Sequence, residues 1–185
     1  DRVLIVADAK RGDIGSTMKA YADAWLSTCT CSPLGTDSVT LSPYLGFESL
    51  RPALDAAAAN QRGTFVLALT SNPEGKSVQH VGKTEDTGAV AKQIIAAATA
   101  ENTAQTWERM GSCGLVVGAT VGEALHDLAI DLSAFNGPIL SPGYGAQGAS
   151  AKDLYRVFAG VKPQVLVNSS RGVLSAGPQV ADLAQ

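Results

Sequence analysis

Histidine, cysteine and aromatic residues are scarce in this chain: 2 His, 3 Cys and 5% Phe, Trp and Tyr among 185 residues. His80 and His126 stand at no ligand spacing to each other or to a cysteine, which leaves a histidine-built metal centre without support. Three cysteines, Cys29, Cys31 and Cys113, are an odd set and argue against a disulfide framework; reduced thiols in a cytoplasmic chain are the expectation. The Cys29-Thr30-Cys31 pair lacks the second pair that a zinc site needs. Apolar runs fall far short of the roughly 20 residues of a membrane helix, and no signal-peptide pattern is present. Basic charge is also short: with 14 Lys and Arg against 17 Asp and Glu, the net charge is −3. A nucleic-acid binder would carry a basic stripe instead.

The chain does have apolar material, at 45% of residues, enough for one globular domain over 1–185 with a sizeable core. Its most informative stretch is Val3–Thr17. Five apolar residues, Val3 to Ala7, predict a fully buried strand. It runs into Asp8, Lys10 and Asp13 ahead of a helix. In extended geometry Asp8 and Lys10 point the same way. Three charges of alternating sign at one strand exit suit an active site. The competing reading is a solvated turn with an incidental ion pair. Arg11-Gly12-Asp13 matches a cell-adhesion tripeptide, which is coincidence in a cytoplasmic chain.

Further along, Ile14, Met18, Tyr21, Ala22, Trp25 and Leu26 share one helical face. Strands are predicted at Ser38–Leu41, Thr64–Leu69, Gly114–Val117, Pro138–Leu140 and Gln164–Val167. Helices are predicted after each: over Leu50 to Ala59 with Pro52 in the first turn, from Val90 through Trp107 to near Gly111, behind a capping box at Thr120 and Glu123, over Lys152–Phe158, and from near Pro178. Residues 76–86 read as irregular. Trp25 and Trp107 read as core. Six strands alternating with helices mean a parallel α/β sheet, either doubly wound or a (β/α)8 barrel.

Gly143, Gly145 and Gly148 form a G-x-G-x-x-G between a strand and a helix. A dinucleotide site would need an acid about 20 residues on, and residues 163–169 contain none. The loop still offers backbone N–H groups to a phosphate, and Ser170-Arg171 at the next strand exit adds a bidentate donor. Phosphate held by the last two strand exits is the barrel arrangement. Ser71, in Thr70 to Gly75, could read a heterocycle edge or belong to a plain Ser-Asn-Pro turn.

Taken together, Asp8-x-Lys10-x-x-Asp13-Ile14-x-x-Thr17, SPYLGF at 42–47, TSNPEG at 70–75, PGYGAQG at 142–148 and SSRG at 169–172 resemble the orotidine 5′-phosphate decarboxylase family, in its bacterial, mycobacterial-type branch. The resemblance spans the chain. It implies a (β/α)8 TIM-barrel homodimer, here units 3–8 only with the last helix clipped, that converts orotidine 5′-phosphate to UMP without metal or cofactor. It makes Lys10 the proton donor and Asp8 its partner and the neighbour of the substrate carboxylate. Asp13 and Thr17 would act in the partner subunit's site. Ser71 would bond the pyrimidine, while Gln147 and Arg171 grip the phosphate. The family's ribose aspartate and further lysine sit on two strands before the third, where this chain begins, so the expectation is a piece of a longer enzyme. Two rivals remain: a magnesium-dependent sister enzyme acting on sugar phosphates, which shares D-x-K-x-x-D, and a non-catalytic oligomeric or binding fragment.

Overall fold

In the computed structural model, residues 3–29, 32–145 and 148–183 are described. Six strands carry the fold: β1 (Val6–Arg11), β2 (Ser38–Leu41), β3 (Gly63–Leu69), β4 (Cys113–Val117), β5 (Ile139–Pro142) and β6 (Val165–Asn168). Each pairs in parallel with the next, in the order β1-β2-β3-β4-β5-β6. A doubly wound sheet reverses its strand order at a switch point. This sheet never does, and sequential order is that of a (β/α) barrel. β1 and β6 are its two edges.

Helices α1 (Gly15–Leu26), α2 (Arg51–Ala59), α3 (Lys76–Gln79), α4 (Val90–Thr103), α5 (Gly122–Asp127), α6 (Ala151–Val157), α7 (Ser170–Leu174) and α8 (Val180–Leu183) fill the connections. The main core lies between sheet and helices: Met18 and Leu26 of α1, Leu54 of α2 and Ala98 of α4 meet Leu41, Leu69, Leu115 and Ile139. The helix-free face carries a smaller cluster of Phe65, Val116 and Leu140, with Val6 and Leu67 against it. Strands apolar on both faces explain the continuous runs in the sequence. Pro52 sits in the first turn of α2, where no helical N–H is lost. Arg51 ties α2 to α4 through Glu101 at 2.8 Å.

Several expectations are corrected. Val3, Leu4 and Ile5 are 79%, 72% and 54% exposed; they precede β1, which has one strand neighbour, β2, among the described residues. Trp107 lies beyond α4, which ends at Thr103, and its indole N–H donates to the Asn102 carbonyl at 2.9 Å. Residues 76–86 include the short helix α3. The Thr120–Glu123 box does not form, because α5 starts one residue late, with Val121 as its uncapped N-cap. The real capping box is Ser150 with Asp153, at the start of α6. Cys29 is disulfide-bonded and Cys113 is a buried free thiol, so the thiols are not all reduced; a chain too poor in cysteine for a framework can still close one bridge. No described helix is long and apolar enough to cross a membrane.

Candidate active site

Parallel pairing puts every strand exit at one end of the sheet, and the predicted site residues that are described lie at or just after those strand ends. At the end of β1, Lys10 Nζ lies 2.5 Å from Asp8 Oδ2. Both side chains are about half exposed, so the pair is open to a ligand. Regular alternation does not bring them together. Pairing runs Val6 with Ser38 and Ala7 with Val39, then resumes only at Arg11 with Leu41, so Asp8, Ala9 and Lys10 stand opposite the single residue Thr40. Such bulges re-aim side chains next to active sites. Lys10 itself has φ +48°, a left-handed conformation costing a non-glycine residue on the order of 1–3 kcal/mol.

Asp13 accepts the Ile14 amide at 2.8 Å, and Thr17 is exposed on the first turn of α1. Among the described residues, no hydrogen bond or ion pair joins either to Lys10. A cavity of about 430 Å³ is lined by Lys10, Arg11, Gly12, Ser42 and Tyr44, bringing the SPYLGF loop beside the lysine. Ser71, exposed at the exit of β3, packs against Gly118 at the exit of β4, where a Cβ would lie 3.4 Å from its own. The loop around it is pinned: Gln79 accepts the Thr70 amide at 2.9 Å and donates to the Thr70 hydroxyl at 2.8 Å.

At the other edge, a cavity of about 150 Å³ is lined by Gly143 and Tyr144 after β5, by Asn168 at the end of β6, and by Ser169, Ser170 and Arg171 after it. The structure therefore joins Gly143, Ser170 and Arg171 in one concavity. Gly143, Gly145 and Gly148 all have positive φ, so the loop's path depends on glycine. Gln147 lies outside the described residues. The lysine and arginine sites sit at opposite edges of the sheet. Larger cavities of about 490 and 570 Å³ open among the helices, away from the strand exits.

The sequence reading missed Thr40, Asn168 and Ser169. Thr40 reads as ordinary strand filler between Val39 and Leu41, and only its opposition to the bulge marks it.

All of residues 1–185 match the orotidine 5′-phosphate decarboxylase / HUMPS family. The chain belongs to that family. Relatives named orotidine 5′-phosphate decarboxylase are 54% identical over 180 residues in Salinispora arenicola and 51% identical over 181 residues in Streptomyces coelicolor. In both cases the alignment covers 97% of this chain and 62% of the relative, so the chain spans less than two thirds of their length. A solved Streptomyces avermitilis structure superposes with a TM-score of 0.84 at 51% identity, over 98% of this chain and 60% of that one. Leishmania donovani OMP decarboxylase gives 0.73 at 29% identity, over 98% and 65%.

Proposed function

We propose that the protein decarboxylates orotidine 5′-phosphate to UMP and CO2 in pyrimidine biosynthesis. The observation that carries this is the Asp8–Lys10 ion pair on the β1 bulge, open to a ligand at the strand exits. The relatives named for this activity, at 51–54% identity, favour it over the sugar-phosphate chemistry.

In this reading the bond from the pyrimidine ring to its carboxylate breaks, CO2 leaves, and the electron pair stays on the ring carbon. The Lys10 ammonium stabilises that carbanion and then gives it a proton, leaving a neutral amine. Asp8 holds the ammonium in place, and its charge beside the substrate carboxylate is relieved as CO2 departs. Lysine suits the role because its compact charge both stabilises an anion and delivers a proton. Gly143, Ser170 and Arg171 hold the phosphate, together with Gln147, and Ser71 bonds the pyrimidine. Phosphate binding far from the reacting carbon can be spent on orienting the ring. Asp13 and Thr17, which do not bond to Lys10, serve the partner subunit's site in a homodimer. The enzyme works in the cytoplasm and takes no metal or cofactor.

The test follows UMP formation by the full chain and by Lys10→Ala. The expected result is metal-independent turnover that falls at least about 10³-fold in the variant, with UMP binding kept within about tenfold. Undiminished turnover in Lys10→Ala, or magnesium-dependent turnover of a keto-sugar phosphate instead, would overturn the proposal.

A further inference from the structure

A single buried hydroxyl on β2 holds both members of the charged pair. Thr40 is fully buried, whereas the side chains of Asp8 and Lys10 are 62% and 52% exposed. The Lys10 backbone N–H donates to Thr40 Oγ1 at 2.9 Å. The Thr40 hydroxyl in turn donates to Asp8 Oδ1 at 3.0 Å. The other Asp8 oxygen, Oδ2, receives Lys10 Nζ. A closed ring results, running from hydroxyl to carboxylate to ammonium, and back through the lysine's own backbone to the hydroxyl.

Each link has a physical reason. The bulge places three β1 residues opposite Thr40 alone, so the Lys10 N–H has no ladder carbonyl to meet. A partly buried N–H without an acceptor is costly, and the threonine oxygen takes the carbonyl's place. That bond anchors Lys10 in its left-handed conformation, which needs support from its surroundings to persist. Having accepted from Lys10, the hydroxyl has its own proton free for Asp8, and a hydrogen bond to a carboxylate fixes its rotamer. Asp8 and Lys10 are too exposed for packing alone to orient them. Thr40 reaches them from inside the sheet.

We infer that Thr40 is the positioning residue of the Asp8–Lys10 pair, setting the carboxylate's orientation and the lysine's backbone at once without touching substrate. The inference deepens the decarboxylase reading and rests on it for its kinetic consequence. A purely structural Thr40 would act through its shape, as a β-branched residue in a strand. Thr40→Val keeps that shape and loses the hydroxyl, whereas Thr40→Ser loses the methyl and keeps the hydroxyl.

The test compares Thr40→Val, Thr40→Ala and Thr40→Ser with the unaltered full chain, by steady-state kinetics and by amide hydrogen exchange at Lys10. Without the hydroxyl, kcat is expected to fall about a hundredfold, the scale of a misplaced reacting group. KM should stay within about threefold, because the phosphate cavity lies at the far edge of the sheet. The Lys10 amide should lose protection at least tenfold while amides of β3 and β4 keep theirs. Thr40→Ser should recover both within about threefold. Thr40→Ala supplies the hydroxyl-free comparison where Val does not fold. A protected Lys10 amide in the hydroxyl-free variants, or a serine variant as impaired as the valine one, would overturn the inference. A folded but inactive unaltered protein would instead sink the decarboxylase reading, and the exchange data would still decide whether Thr40 holds the bulge.

Discussion

Gly12 and Ser42 are in backbone contact: a Cβ on Gly12 would stand 2.1 Å from the Ser42 carbonyl oxygen. The Ser42 amide also donates to the Arg11 carbonyl at 2.8 Å. The exit loops of β1 and β2 are thus pressed together directly beside Lys10. Gly12→Ala must push them apart. Overpacking of this kind costs about 1–3 kcal/mol, and the loss of turnover should exceed what that destabilisation explains. Urea denaturation and kcat, measured on the same preparation, check both.

Arg171 is exposed beside Gly143 and Ser170, where a phosphate would meet its guanidinium. Arg171→Ala should raise KM and weaken UMP binding about ten- to a hundredfold, the worth of one charge-assisted pair. Arg171→Lys should recover only part, because an ammonium lacks the planar fork. Titration calorimetry with UMP reads the effect, and an unchanged affinity would move the phosphate elsewhere.

Asn102 closes the start of β4. Its side chain donates to the Cys113 carbonyl at 2.8 Å and accepts the Cys113 amide at 3.2 Å, fully inside the protein. Gly111 and Gly137 crowd it so closely that neither tolerates a Cβ. Asn102→Ala leaves two buried polar groups unpaired, at about 1–3 kcal/mol each. The urea midpoint should drop with an unchanged slope.

Burial pushes the Cys113 thiol up from its ordinary 9.0 to about 12. A pKa raised by folding contributes stability that is whole below pH 9 and is lost as pH rises toward 12. The folded protein should therefore weaken in that alkaline window, and Cys113→Ala should flatten that part of the profile. At pH 8 the thiol should resist disulfide reagents until the chain unfolds.

The Ser150 amide and hydroxyl both donate to Asp153, holding its carboxyl below the usual aspartate range. A depressed pKa means the cap is intact above the ordinary value near 3.8 and is lost as pH falls through the lower, folded one. Amide exchange in the first turn of α6 should rise in that acid window, and Asp153→Asn should raise it at neutral pH.

The sequence by itself determined the class of fold and the chemistry worth looking for. Strands apolar on both faces have no period-2 pattern, yet their spacing between helical stretches marks a parallel sheet, and Ser38–Leu41 matches β2 to the residue. The charges and glycines near the strand ends are legible because a strand buried on both faces keeps its charged groups toward its end. Tertiary structure alone decided how those groups are held. Whether Thr120 or Ser150 caps a helix depends on the residue at which the helix starts, and that is set by packing. Val3 to Ile5 look like buried strand, but exposure depends on having a neighbour, and among the described residues β1 has one. Asp8 and Lys10 could be paired from their spacing, but not the bulge that turns them or the threonine 30 residues away that anchors it. Register between strands is a property of two segments at once, and neither segment records it alone.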